Sequence, residues 1–124
     1  MAKLLHNRLN KEQGQTKLAA EMFKRRTISF YKYVKIEDPD ALRDQLFRIW
    51  YALDCLGRIY IAEEGINAQM NVPEPVWDRF MDTLYSFEIF KNVPFKHALE
   101  SETDSFWKLS VTVKEKIVAD GREN

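Results

Sequence analysis

Residues 58–71 read RIYIAEEGINAQMN, in which apolar and polar residues alternate on both sides of a short Glu-Glu-Gly connection. An alternation with a period of two is typical of strands that bury one face. Gly65 tolerates the positive φ that a tight connection can demand. This stretch therefore predicts two adjacent strands, residues 58–62 and 66–71, in which every second side chain points to a core.

Two helices are predicted on either side of this pair of strands. Asp38-Pro39 is a typical helix start, because aspartate caps the N-terminus and proline fits the first turn. This helix is expected to run to about Leu56, with Gly57 as its left-handed C-cap. Pro73 and Pro75 open the second helix. Its apolar residues recur at helical spacing and are Val76, Phe80, Leu84 and Phe87.

Three more strands are predicted, at residues 27–36, 95–101 and 107–113. The resulting order is β-α-β-β-α-β with an extra C-terminal strand. It predicts an α+β fold, the ferredoxin-like two-layer sandwich, with an antiparallel sheet and both helices on one face. We expect residues 27–118 to form this domain, after a basic arm at 1–26 and before a frayed tail at 119–124.

The charge of the chain is unevenly distributed, although 19 basic and 19 acidic residues cancel over its 124 residues. The first 26 residues contain seven basic and two acidic side chains, and the other 98 contain 12 basic and 17 acidic ones. A basic arm can steer a phosphate backbone. The alternative is an ordinary solvated tail.

Strand alternation also identifies the side chains of the sheet face opposite the helices, which we call the open face. In the last strand, Trp107, Leu109, Val111 and Val113 are expected to point inward. The outward candidates for binding RNA or a partner are Tyr31, Tyr33, Tyr60, Asn67, Gln69, Lys108 and Lys114. Tyrosines stack on unpaired bases, amides read base edges, and lysines meet phosphates. The alternative is a face that is covered by another domain. Lys32 breaks the pattern, which indicates a bulge or a snorkelling side chain.

No self-sufficient set of catalytic or metal-binding residues is evident. The lone Cys55 is interpreted as a packing residue and not as a nucleophile. His6 and His97 are far apart, which argues against a metal site, and no cofactor is predicted. Glu63 and Glu64 have the chemistry of a general base, but paired acids in a turn are usually only solvated.

The N-terminal residues lack the apolar run of a signal peptide, and no stretch approaches the roughly 20 apolar residues of a membrane span. A lone cysteine cannot form an internal disulfide. We therefore expect a cytoplasmic protein without a membrane partner.

Six strings, taken in order, resemble the N-terminal domain of the bacterial rhodanese-containing tRNA uridine hydroxylases. They are LHNR at 5–8, TISFYKY at 27–33, GRIYIA at 57–62, EGINAQ at 64–69, SFW at 105–107 and IVADG at 117–121. The resemblance implies an acylphosphatase-like domain that precedes a covalently linked rhodanese domain with a reactive cysteine. Glu64 and Gly65 belong to the motif as a turn.

The resemblance also implies a function. The family is associated with oxygen-dependent 5-hydroxylation of the wobble uridine of tRNA, so the anticodon region of tRNA is the expected partner. The sequence departs from the family by ending at Asn124, without the rhodanese cysteine. The fragment is therefore expected to be inactive alone and to engage tRNA or position the substrate.

Two alternatives remain open. The domain can be structural, docking on the rhodanese domain and shaping its active site without binding RNA. It can also be an independent acyl-phosphate hydrolase. The last alternative is disfavoured by the loop at residues 36–40, which reads IEDPD where true acylphosphatases carry a glycine-rich, arginine-containing phosphate loop.

Overall fold

A computed structural model describes residues 10–21, 24–97 and 107–117. One helix precedes the first strand, and two further helices lie between strands along the chain. The elements are α1 Lys11–Ala20, β1 Arg25–Tyr33, α2 Pro39–Ala52, β2 Leu56–Ala62, β3 Gly65–Pro73, α3 Trp77–Tyr85, β4 Lys96–His97 and β5 Leu109–Val113. Short 3₁₀ turns occupy Glu74–Val76 and Glu88–Phe90. The predicted strand at 95–101 is represented by β4 at Lys96–His97, and residues 98–101 and the tail at 119–124 lie outside the described residues.

The five strands form one sheet in the order β4-β1-β3-β2-β5. β1 pairs antiparallel with β3 and with β4, and β2 pairs antiparallel with β3. This arrangement confirms the predicted ferredoxin-like α+β fold. The extra strand β5 pairs parallel with β2, so the sheet is mixed and not wholly antiparallel as predicted.

Helix α2 begins as predicted but ends four residues earlier. The Asp38 carboxylate accepts the N–H of Ala41 at 3.1 Å and caps the first turn. At the other end the N–H of Cys55 donates to Trp50 and that of Asp54 to Tyr51, which together form a Schellman motif.

The left-handed position of that motif is Asp54, with a φ of 65°. The prediction of Gly57 as C-cap was therefore wrong, and Gly57 lies within β2. Position 57 requires glycine for a different reason: a Cβ there would lie 2.2 Å from the carbonyl oxygen of Gln69 on the neighbouring strand.

Both sheet-covering helices bury one side against the strands. α2 contributes Leu42, Leu46, Phe47 and Trp50, and α3 contributes Phe80 and Leu84. The rings of Trp50 and Phe80 meet with centroids 6.0 Å apart. The predicted opening of the second helix at Pro73 and Pro75 was wrong: Pro73 is the last residue of β3, Pro75 lies in a 3₁₀ turn, and α3 begins at Trp77.

The inward side chains of the sheet follow the predicted alternation. The fully buried ones in the central strands are Ile59, Ile61, Ile66, Ala68 and Met70. Leu109 and Val111 of β5 are also buried, whereas Val113 is 36% exposed. Val113 pairs with the inward Ile61 and so lies on the predicted side of the sheet, but it ends an edge strand and is not covered. Lys32 pairs in regular register with Ile66 and is half-buried, so no bulge interrupts this ladder.

Within the described ranges, the helices are all too short or too polar to cross a bilayer.

Candidate functional site

The open face carries a row of polar and aromatic side chains that crosses four strands. The register aligns Tyr31 of β1, Asn67 of β3, Tyr60 of β2 and Thr112 of β5. Tyr31 is 59% exposed, and Tyr33 on the same strand is 60% exposed. The two rings meet edge to face with centroids 5.8 Å apart. The predicted orientation of the tyrosines is confirmed, and their role in binding stays a prediction.

A second row runs beside the first across all five strands. It consists of Lys96 of β4, Ser29 of β1, Gln69 of β3, Arg58 of β2 and Ser110 of β5. Gln69, Arg58 and Lys96 are exposed. None of the described strand positions on this face holds Asp or Glu. The strands therefore present phenol, amide and cationic groups without a carboxylate.

The two predicted lysines flank β5 and lie at opposite ends of it. The ammonium of Lys114 stands 4.9 Å from the centroid of the Tyr60 ring, within the range of a cation–π interaction. The ammonium of Lys108 lies 5.1 Å from the Trp107 ring. The structure thus brings Lys114 next to the tyrosine and amide row, while Lys108 belongs to the far end of the strand.

One end of the open face is closed, which makes this face narrower than predicted. Thr27, Asn71 and Leu56 occupy neighbouring strands on this side of the sheet, and all three are buried. The hydroxyl of Thr27 and the amide oxygen of Asn71 are joined by a 2.8 Å hydrogen bond. The accessible surface on this side of the sheet therefore does not extend to that end.

Helix α1 is tied to this closed end by a cluster of ion pairs. Arg25 contacts Glu21 at 2.6 Å and Asp54 at 3.2 Å, and Lys17 contacts Asp54 at 3.0 Å. Burial alone would raise the pKa of Glu21, but its hydrogen bonds with Arg25 and Lys17 lower that pKa. Burial would likewise lower the pKa of Lys17, which its carboxylate partners raise instead. Part of the predicted basic arm is thus neutralised by the domain itself.

The opposite end of the open face is crossed by the segment after β5. Ile117 is 1% exposed there. Its N–H donates to the Glu64 carboxylate at 3.0 Å, and its carbonyl accepts the side-chain N–H of Asn67 at 3.1 Å. Asn67 and Glu64 therefore have structural partners, which sequence reasoning missed. The predicted partner-binding role of Asn67 is left as a prediction.

The motif residue Gly65 is required by close packing in the β2–β3 connection. Its φ is 153°, and a Cβ would lie 2.1 Å from the carbonyl oxygen of Lys32. The adjacent Glu64 carbonyl accepts the N–H of Val34 at 2.9 Å. This turn therefore joins three parts of the chain, namely the end of β1, the hairpin and the C-terminal segment.

A pocket of about 350 Å³ opens on this face between β1 and the chain that leads into β4. Its lining includes Ser29, Tyr31, Asn67, Gln69, Pro94 and Lys96. Tyr31, Asn67 and Gln69 were predicted as binding residues, whereas Ser29, Pro94 and Lys96 were missed. Strand parity could have placed Ser29 beside Tyr31, but no sequence signal fixes the register of the two-residue strand β4.

The described residues offer little support for covalent or metal chemistry. Burial raises the pKa of the Cys55 thiol to about 12, and the side chain is 1% exposed. A thiol in that state is a poor nucleophile at neutral pH. Across the described ranges, no group of three His, Cys, Asp or Glu side chains is arranged to bind a metal. The Glu64 carboxylate, a predicted alternative as general base, is occupied by a backbone N–H.

Together these features define an α+β domain of the acylphosphatase-like type with a polar and aromatic surface on its open sheet face. Residues 25–117 match the UPF0176 acylphosphatase-like domain. The chain therefore belongs to that family.

Its similar proteins include enzymes named tRNA uridine(34) hydroxylase. The one from Escherichia fergusonii is 47% identical over 119 residues, covering 95% of this chain and 34% of that protein. The one from Leptospira interrogans is 50% identical over 117 residues, covering 94% of this chain and 32% of that protein. The chain thus spans about one third of the length of these relatives.

Proposed function

We propose that this chain is the tRNA-engaging or substrate-positioning domain of a tRNA uridine hydroxylase, and that it binds RNA through the middle of its open face. The relatives named tRNA uridine(34) hydroxylase support the general role. The observation that carries the RNA contact is the combination of Tyr31, Gln69 and Lys114 on one exposed surface that lacks strand carboxylates.

The distribution of charge favours an anionic partner on this side. Arg58, Lys96 and Lys114 are exposed at the open face or its border. Asp40 and Asp78 are exposed on the helices of the opposite layer, and the exposed Glu64 lies at the border of the open face, where its carboxylate accepts the N–H of Ile117. Strands that carry cations and no carboxylate attract phosphate to this side of a chain that has no net charge overall.

The test is binding of an anticodon stem-loop RNA to the 124-residue chain. Tyr31→Ala is expected to cost about 1–3 kcal/mol, or roughly 5- to 150-fold in affinity, because base stacking on an aromatic ring is worth that much. Lys114→Ala should weaken binding and lower the dependence of log affinity on log salt by about one. Arg79→Ala removes an exposed cation from α3 and is the matched control. Absence of RNA binding, or equal binding by all three variants, would refute the proposal.

A second function is supported by the adjacent exposed rings of Tyr31 and Tyr33. Large exposed aromatic side chains are enriched in protein interfaces. In this alternative the open face docks on a linked rhodanese domain and does not bind RNA. A separately expressed rhodanese domain should then shift the NMR signals of Tyr31 and Tyr33 while RNA leaves them unchanged.

A further inference from the structure

The pocket on the open face lies beside the short ladder of β4 and β1, which pair over two residues. Lys96 pairs with Ser29 and His97 with Ile28. Continuing that register would bring Pro94 opposite Tyr31, but proline has no N–H to donate to a ladder. The ladder ends at Lys96, and the pocket of about 350 Å³ lies between Pro94 and the open-face side chains of β1 and β3.

The outer wall of this pocket is rigidly supported from the helix layer. The Phe95 ring packs edge to face on Phe30, with centroids 5.4 Å apart. It also lies against Trp77 and Tyr85, at 6.1 and 6.3 Å. These contacts anchor the Phe95 side chain next to Pro94 in the pocket wall, and pockets for small ligands are usually largely formed before binding.

The lining of the pocket suits a flat, uncharged ring that is attached to a negatively charged group. Tyr31 offers an exposed aromatic ring that is braced edge-on by Tyr33. The exposed Gln69 amide can both donate and accept hydrogen bonds. The exposed Lys96 supplies a cation, and the lining contains no carboxylate.

Of the two amides in the pocket, Gln69 is the better placed to recognise a ligand. The side-chain nitrogen of Asn67 already donates to the carbonyl of Ile117 at 3.1 Å. Gln69 lies one row further along β3, aligned with Ser29 on one side and Arg58 on the other. An amide at this position can pair with the adjacent donor and acceptor of a base edge.

We infer that this pocket binds one unstacked nucleobase of the RNA, with Gln69 against its edge, Tyr31 against its ring and Lys96 at the adjoining phosphate. The inference rests on the proposed RNA-binding function and adds a specific base-binding site to it. A free phosphate would use Lys96 alone and would leave the amide and the aromatic ring without a role.

The experiment compares two substitutions of serine by phenylalanine, one inside the pocket and one outside it. Ser29→Phe fills the pocket, and Ser110→Phe adds the same ring to the same row but on β5, outside the pocket. Gln69→Ala, at an exposed position, provides a second test if Ser29→Phe does not fold. The probes are uridine 5′-monophosphate, ribose 5-phosphate and an anticodon stem-loop RNA.

Uridine 5′-monophosphate is expected to shift the backbone NMR signals of Ser29, Gln69 and Lys96. These shifts should disappear in Ser29→Phe, diminish in Gln69→Ala and persist in Ser110→Phe. Ser29→Phe should lower the affinity for the stem-loop RNA at least tenfold. Ser110→Phe should leave that affinity within about twofold of the unaltered chain.

Two results separate this inference from the proposed function. If the RNA binds but Ser29→Phe and Gln69→Ala bind as tightly as the unaltered chain, the open face engages RNA and the base pocket is refuted. If the RNA does not bind, the proposed function is wrong. The mononucleotide then decides the pocket: shifts abolished by Ser29→Phe support it, while no shift, or equal shifts with ribose 5-phosphate, overturns it.

Discussion

The carboxylate of Glu64 accepts the backbone N–H of Ile117 at 3.0 Å, across 53 residues of sequence. This bond, together with the amide of Asn67, holds the segment after β5 against the open face and buries the Ile117 side chain. The motif turn therefore anchors the end of the domain. Its conformation also sets how far the open face extends in that direction.

Replacing Glu64 by alanine is expected to release this segment. A hydrogen bond to a charged group is worth about 1.5–3 kcal/mol, so the free energy of unfolding should fall by about that amount or slightly less at this partly buried site. The Ile117 amide should also exchange faster with solvent. Urea unfolding and NMR hydrogen exchange measure the two effects.

The control for this change is Glu63→Ala in the same turn. Glu63 is exposed, and its backbone carbonyl, which accepts the N–H of Ile36, is retained in the variant. We expect a change of no more than about 0.5 kcal/mol. Equal destabilisation by both variants would mean that the Glu64 carboxylate does not anchor Ile117.

The Glu21–Arg25 pair predicts an acid-sensitive attachment of α1. Because the folded-state pKa of Glu21 lies below its ordinary value of 4.5, the pair stabilises the fold fully above about pH 4.5. That contribution is lost as the pH falls through the lowered folded pKa. Glu21→Gln should cost about 1–2 kcal/mol at pH 7 and progressively less below pH 4.5. Urea unfolding between pH 3 and pH 7 measures this difference.

Glu12→Gln is the matched control for that series, since it removes the same charge from an exposed position in the first turn of α1. Its effect should be about 0.5 kcal/mol or less at each pH. A cost for Glu21→Gln that stayed constant down to pH 3 would contradict the assigned ion pair.

Cys55 is expected to resist thiol reagents in the folded chain. With a pKa of about 12, roughly one thiol in 10⁴ is ionised at pH 8, and the sulfur is buried as well. Labelling by a disulfide reagent should be at least a hundredfold slower in the native chain than in urea.

An exposed cysteine provides the comparison for Cys55. His97→Cys in a Cys55→Ala background places a thiol at an exposed position on β4, where native and denatured rates should be similar. Rapid labelling of Cys55 in the folded chain would show that the thiol is accessible and would contradict its interpretation as a packing residue.

Local sequence patterns were sufficient for most of the fold but not for the ends of its elements. The alternation of Ile59 and Ile61 with Tyr60 predicted which side chains enter the core, because strand geometry imposes that period directly. Glycine at position 57 was misread as a helix cap, since glycine also serves where two strands approach closely. Asp54 takes the left-handed position instead, and its carboxylate is held by Lys17 and Arg25.

The sequence by itself determined the order of strands and helices and the outward orientation of Tyr31 and Gln69. These properties depend on neighbours that are close along the chain. Only the tertiary structure decided that Ile117 lies on the open face, that α1 is tied to its other end, and that Lys96 and Ser29 border one pocket. Those contacts join segments tens of residues apart, and their geometry is set by register and packing, which a local pattern does not encode.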